Sequence, residues 1–297
     1  MCFSITSQPI RGARAPTKIA EIDMGIASSL TALGLHRRLP YLLRLGAWID
    51  QTYVEIGRRV ALQDFVFRRR FIVRNRLNLR LLLDRTSIVD YRIIRGKGWE
   101  SQQINRLFSY IEAFRDFSGK RYFLDLGAYW GLYSLIAHRR HWFDCIIAFE
   151  PDPLNRSQLH AQLALNFLAN EIDVRSVALS DRVGLQPFLK SQCHSTGNRA
   201  GVSLLPESDG GKTILVPTDT LDNQLRIEDA VPFIKVDTEG HEINVLAGAE
   251  ILLTKNQVVL QVECFQPNRH LIRPLLEKLG YRELGEIERD LYFTNLP

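Results

Sequence analysis

Nowhere does this sequence run for the ~18 charge-free residues that a membrane-spanning helix requires. Its most apolar candidate, residues 39–66, is interrupted by Arg44, Asp50, Glu55, Arg58 and Arg59, so no transmembrane segment is expected. The first 20 residues hold Arg and Lys but no acid and no apolar core. That pattern argues against a secretory leader and for a disordered start reaching to about residue 35. Cysteine is scarce too: Cys2, Cys145, Cys193 and Cys264 share no metal-binding or redox spacing. This excludes a disulfide framework or a zinc cluster and suits a cytoplasmic protein with reduced thiols. Internal repeats and low-complexity tracts are also missing. With 45% hydrophobic residues in a chain of 297, there is enough apolar mass to bury a core without such staples.

Charge is plentiful but unevenly shared. Residues 1–118 carry 20 Lys and Arg against 10 Asp and Glu, whereas the remainder carries 18 against 23. A basic region attached to an acidic body suits contact with an anionic surface, and equally a solvated arginine-rich helical face. These arginines are not interleaved with stacking aromatics, so no specific nucleic acid is predicted as a partner. Leu42, Leu45, Trp48, Ile49, Tyr53, Ile56 and Val60 recur at helical spacing, residues 71–94 read as β, and 101–117 read as helical again. Residues 1–118 are therefore expected to form a mainly helical N-terminal region.

Beyond Gly119 the texture changes to short apolar runs alternating with helical stretches, the pattern of an α/β domain with a mostly parallel sheet. Strands are expected at 122–126, 145–149, 172–179, 233–236 and 258–262, separated by helices from about 131, 153–169, 219–227 and 242–254. A helix at 269–279 and two short strands near 281–285 and 291–294 close the chain. Residues 119–297 are read as one catalytic domain, with an insertion at 184–217 whose ends are β-like.

The run from Phe123 to Ser134 places Asp125 at a strand end, Gly127 in the following turn and Gly131 at a helix start. Glycine lets the backbone approach a ligand closely, and a helix N-terminus offers free N–H donors. A dinucleotide fingerprint would want glycine at 127, 129 and 132, but Tyr129 and Leu132 stand there, which disfavours an NAD-dependent dehydrogenase. Glu150 closes the second strand 25 residues after Asp125, where a carboxylate can accept both hydroxyls of a ribose. Its neighbours Asp152 and Pro153 read as the N-cap and first residue of the next helix. Asp181 is placed either to take an adenine amino group or to form an Asx turn. Asp237 ends the fourth strand, Glu239 and His241 follow it, and Glu263 ends the fifth. Buried carboxylates without partners are costly, so this convergence points to chemistry at the carboxyl edge of the sheet. Glu242 serves equally well as an acid favouring a helix N-terminus.

Taken in order, these stretches resemble the FkbM-type family of S-adenosylmethionine-dependent methyltransferases. The carriers are Asp-Leu-Gly-Ala-x-x-Gly-Leu-Tyr-Ser (125–134), Phe-Glu-Pro-Asp-Pro-x-Asn (149–155), Ala-Leu-Ser-Asp-x-x-Gly (178–184) and Thr-Leu-Asp (220–222). Ile-Lys-Val-Asp-Thr-Glu-Gly-His-Glu (234–242) and Val-Glu-Cys-Phe (262–265) complete the set, and the likeness spans roughly residues 121–265. It implies a class I, Rossmann-like fold ending in a tight strand pair. It also implies S-adenosylmethionine as cofactor, bound by Asp125, Gly127, Ala128, Tyr129, Gly131, Glu150, Asp181 and Asp237, with Asp125 toward the methionine end. Members methylate hydroxyl oxygens of sugars and polyketide-like natural products, so a small-molecule or glycan acceptor is implied. Tyr129 departs from the family, which commonly has Asn there; a left-handed turn would suit Asn better.

Methyl transfer to a hydroxyl requires in-line alignment and removal of the hydroxyl proton. His241, which titrates near neutrality, is the expected base, and Asp237 is expected to orient donor or acceptor. Glu239 and Glu263 either orient His241 or, with Asp237, hold a divalent cation through oxygen ligands; no metal is predicted. RNA ribose methylation is the competing enzyme reading. A catalytically degenerate binding module is the non-enzymatic one, and it would have lost Glu150 or the Asp237 group, both of which are present.

Overall fold

The computed structural model describes residues 70–114, 116–117, 119–189, 213–264 and 268–296. The disordered start, the helical pattern of 39–69, Cys2 and Cys193 lie outside the described residues. The described part opens with a hairpin of β1 (Phe71–Arg76) and β2 (Leu79–Asp84), which turns through Leu77 and Asn78 at φ 53° and 54°. A two-residue hairpin loop needs such left-handed residues to match the strand twist. The β reading to residue 94 is corrected here. Ser87 accepts the Asp90 N–H and caps α1 (Ile88–Ile94), which buries Val89 and Ile93 one turn apart. Next come α2 (Ser101–Ser109) and a single 3-10 turn, Tyr110–Phe114.

The body follows as β3 (Arg121–Leu126), α3 (Leu132–Arg139), β4 (Cys145–Phe149), α4 (Pro153–Leu165) and β5 (Asp173–Arg175). Then come β6 (Ala178–Leu179), β7 (Gly184–Leu189), β8 (Thr213–Asp219), α5 (Leu221–Gln224) and β9 (Val231–Val236). The chain closes with α6 (Glu242–Ala247), α7 (Glu250–Lys255), β10 (Val259–Glu263), α8 (Arg269–Lys278), β11 (Arg282–Ile287) and β12 (Asp290–Thr294).

Seven strands form the central sheet in the order β11-β12-β10-β9-β3-β4-β5. From β10 to β5 neighbours are parallel, and β12 and β11 close the edge antiparallel. This is the expected Rossmann-like α/β fold. Side chains alternate across it: Phe123 and Phe233 face one core layer, Leu124, Leu126, Ile234 and Val236 the other. Both faces are covered, which is why the strands read as nearly continuous apolar runs. Between β3 and β9 the order reverses, and such a switch point opens a crevice at the carboxyl ends of the strands.

Three further expectations change in detail. The strand read at 172–179 divides, because Asp173–Arg175 pairs in the central sheet and Ala178–Leu179 pairs with β8 in a separate three-stranded sheet. The helix read at 242–254 breaks at Gly248, where a Cβ would stand 2.0 Å from the Ser180 carbonyl oxygen. The texture change at Gly119 marks the start of the parallel sheet rather than the edge of the core. Leu81, Leu83, Ile93, Leu107 and Phe114 share one core layer with Phe123 and Trp130. Asn166 also clips the hairpin on, with its side chain meeting both the N–H and the carbonyl of Arg80 at 2.9 Å. Burial pushes the Cys264 thiol up to about 12. Among the described residues no helix is long and apolar enough to cross a membrane.

Candidate active site

Strand order lays the site out along one edge. Leu126 and Val236 are register partners at the ends of β3 and β9, so Gly127 and Asp237 emerge side by side, and the Asp237 N–H reaches the Leu126 carbonyl at 2.9 Å. Gly127 sits at φ +86°, and a Cβ there would fall 1.8 Å from the Asp237 carbonyl oxygen. No other residue fits that approach. Next along the sheet comes Glu150 at the end of β4, and on the other side Glu263 ends β10. Together these strand ends border a cleft of about 260 Å³.

At the β4 end, Glu150 is buried with each oxygen on a backbone donor. Tyr129 N–H meets Oε2 at 2.8 Å and Asp152 N–H meets Oε1 at 2.8 Å. Burial, reinforced by the Asp152 charge, raises Glu150 to about 8 despite those two N–H groups. Asp152 caps α4 through Leu154 and Asn155, the structural role read for it. Val177, Ala178 and Leu179 continue the cleft wall, whereas Asp181 stands outside it with its side chain on Ser180.

Gly127, Ala128, Tyr129, Glu150 and Asp237 line the cleft as expected. Asp125 and Gly131 do not. Asp125 is buried behind the turn, holding the start of α3 through the Ser134 N–H (3.0 Å) and hydroxyl (2.6 Å). Burial raises its pKa, opposed by Lys235, and its Oδ1 has no hydrogen-bond partner among the described residues. Gly131 takes φ +83° with Leu159 packed 3.0 Å from where a Cβ would stand.

The β9–β10 end is the charged one. Lys235 and Asp237 alternate onto one face of β9, and the Lys235 ammonium reaches Asp237 Oδ2 at 2.6 Å. The same ammonium lies 4.4 Å from the Tyr133 ring centre. Burial opposes its charge, but Asp237, Glu100 and Asp125 outweigh burial and raise Lys235 well above the ordinary lysine range. For Asp237 burial likewise acts against the charge, and Lys235 with a hydrogen bond from Glu263 overcomes it, so Asp237 stays ionised. Glu263 is the opposite case: burial and the Asp237 charge push it up to about 11. Glu239 is raised to about 8 by burial, Asp237 and Glu242. One oxygen each of Asp237, Glu239 and Glu263 lies within 4.8 Å of the others, a spacing that a divalent cation bridges.

Glu239 takes a left-handed backbone (φ 53°) in the turn that leads into α6. Strain of that kind clusters at functional sites. Glu242 braces the turn, its Oε1 accepting the N–H groups of Thr238 (3.1 Å) and Gly240 (2.8 Å), so its role is structural. His241 lines the cleft but turns toward β6, with Nε2 on the Ser180 hydroxyl at 2.9 Å. That hydroxyl's proton goes to Asp181, so Nε2 carries the imidazole hydrogen. Burial lowers the His241 pKa, and the charges acting on it are Asp181 and Arg182 rather than the carboxylate group.

Sequence reading missed Lys235, Trp99, Glu100, Tyr133 and Arg289, all of which line the cleft. A lysine inside an apolar strand, two residues before Asp237, was a usable signal because strand side chains alternate. Glu100 gave none. It arrives from the segment before the sheet, accepting Trp99 Nε1–H at 2.6 Å and the Tyr133 hydroxyl at 2.9 Å.

Residues 125–283, more than half of the chain, match the methyltransferase FkbM domain. The chain belongs to the FkbM methyltransferase family. It is similar to methyltransferase sdnD of Sordaria araneosa, 29% identical over 225 residues that cover 63% of this chain and 85% of that protein. Among solved structures it is similar to a methyltransferase FkbM from Methylobacillus flagellatus KT, at 19% identity and TM-score 0.41. That match covers 59% of this chain and spans only 43% of the other protein's length. A SAM-dependent methyltransferase from Agrobacterium tumefaciens is similar at 12% identity and TM-score 0.40, over 75% of this chain and 69% of that one.

Proposed function

We propose that this chain is an S-adenosylmethionine-dependent O-methyltransferase acting on a hydroxyl of a sugar, glycan or natural-product-like small molecule. One observation carries the reading: Glu150 and the Lys235–Asp237–Glu239–Glu263 group border the same cleft, on either side of the Gly127 turn. The residues fit the cofactor, with a ribose-type carboxylate on the cleft wall and a backbone approach that only glycine permits. Bound there, S-adenosylmethionine supplies an electrophilic methyl group. Asp237, kept ionised by Lys235 and held by Glu263, fixes the negative charge at this end of the cleft, so the acceptor hydroxyl is left to donate its single proton to Glu239. Glu239 then takes the proton, because its affinity of about 8 matches a base working near neutrality. Glu263, protonated at that pH, holds Asp237 in place. His241, committed to Ser180 beside Asp181, serves the nucleoside side of the cleft rather than the proton.

The spacing of the three carboxylates favours a second reading, in which a divalent cation on Asp237, Glu239 and Glu263 lowers the proton affinity of the hydroxyl. Lys235 already supplies positive charge against Asp237, so the metal-free reading is preferred. Incubation with methyl-labelled S-adenosylmethionine and fractionated cell extract tests both. Label is expected in hydroxyl-bearing small molecules or glycans and should survive EDTA. Label in RNA would overturn the acceptor class, and loss of labelling under EDTA would install the metal.

A further inference from the structure

The turn between β3 and α3 contains three left-handed residues: Gly127 at φ 86°, Tyr129 at 53° and Gly131 at 83°. Glycine adopts this conformation freely. For a tyrosine it is unfavourable and persists only where the surroundings impose it. The conformation matters because the Tyr129 N–H is one of the two donors that aim the Glu150 carboxylate, at 2.8 Å. What imposes it comes from outside the segment that matches the family, which begins at residue 125. The Tyr129 hydroxyl meets the Oγ of Ser87, a fully buried residue, at 2.9 Å. Beside it, the Trp130 indole N–H donates to Asp90 Oδ1 at 2.7 Å.

Ser87 and Asp90 are the cap and first turn of one short helix, and Asp90 is itself anchored. Its Oδ2 accepts the Asp84 N–H at 2.7 Å and the Gln158 amide at 2.9 Å. Both aromatic side chains of the turn are thus held by the N-terminus of α1, and α1 is held by the hairpin and by α4.

We propose that Ser87 is a positioning residue for cofactor binding, acting through the Tyr129 hydroxyl to fix the backbone N–H that aims Glu150. The proposal rests on the reading of the cleft as an S-adenosylmethionine site. It makes the segment before the family domain part of the cofactor machinery rather than a separate appendage.

Calorimetry with S-adenosylhomocysteine on the full chain tests it. Ser87→Ala and Tyr129→Phe are each expected to weaken binding about three- to tenfold, the loss of one buried hydrogen bond. The Ser87→Ala/Tyr129→Phe pair should be no weaker than either single change. Tyr129→Asn, which tolerates the left-handed backbone without help, should make Ser87→Ala silent. The decisive readout is a cycle with Glu150→Ala: if Ser87 acts through Glu150, its effect disappears in that background. A merely structural role would leave the two penalties additive, and that additivity, or unchanged affinity in Ser87→Ala, would overturn the proposal. If Ser87→Ala does not fold, Tyr129→Phe against Glu150→Ala carries the same test. A wild-type chain that fails to bind S-adenosylhomocysteine would remove the cofactor reading, and this inference with it.

Discussion

Affinity for S-adenosylhomocysteine is expected to rise about tenfold between pH 7 and pH 9, and the cause is a single carboxylate. Glu150 stands at about 8 because burial and the neighbouring Asp152 charge outweigh its two backbone donors. Ribose hydroxyls donate, so they bind the ionised carboxylate, and a protonated Glu150 must first lose its proton. At pH 7 a group titrating at 8 is ionised in about one molecule in ten, which weakens binding about tenfold, or ~1.4 kcal/mol. The sign follows directly: affinity climbs as the pH rises through 8 and levels off above 9. Close to one proton is released per ligand bound at pH 7, measurable by calorimetry in buffers of different ionisation enthalpy. Glu150→Gln isolates the effect from Glu239 and Asp290, which also titrate near neutrality. The amide carbonyl can accept one N–H, but its NH₂ then faces the other. Binding should fall about tenfold or more and become independent of pH. A pH-independent wild type, or an equal slope in Glu150→Gln, would refute the reasoning.

Two further outcomes follow from the same geometry. Glu239→Gln should cut turnover by about 10²–10⁴ while S-adenosylhomocysteine affinity holds, whereas His241→Ala should act mainly on that affinity. Steady-state kinetics with the acceptor, once labelled, would return the base to His241 if the two results were exchanged. Gly127→Ala should lose ~3 kcal/mol or more of stability, since its Cβ meets the Asp237 carbonyl oxygen at 1.8 Å in a left-handed backbone. Thermal melting of the variant checks it, and a melting temperature close to wild type would show that the turn can relax.

The central sheet was legible because its strands are buried on both faces and its helices begin at recognisable signals. Asp152 and Pro153 start α4 by cap chemistry, and the capping bonds to Leu154 and Asn155 are present at 2.9 Å. Gly127, Glu150, Asp237 and Glu263 could be placed because each stands at or one residue past the end of a strand, and strand ends converge at one edge. The breaks were not legible. Gly248 divides α6 from α7 because of a carbonyl 68 residues earlier in the chain, at Ser180, and no local pattern encodes that approach. Nor does periodicity alone distinguish the hairpin of 71–84 from the helix that follows, since both are short and apolar.

Proton inventory was the harder matter, because it depends on charges brought together by tertiary packing. By sequence Asp237 is expected to orient donor or acceptor, Glu239 and Glu263 to orient His241 or join Asp237 on a cation, and His241 to be the base. In the fold one lysine separates them. Lys235 lies against Asp237 and keeps it ionised; burial and then that charge push Glu263 upward, and Glu239, raised by burial and by Asp237, is left near neutrality. Burial raises all three, and only Asp237 has the Lys235 ammonium in direct contact to overcome it. His241 places Nε2 on the Ser180 hydroxyl, and the charges acting on it are Asp181 and Arg182 rather than this group. The same ammonium also draws in Glu100, a residue from outside the family domain that no motif could have nominated. The motifs therefore bring these groups to one cleft, and the charge state of each follows from burial and from the one carboxylate that Lys235 touches.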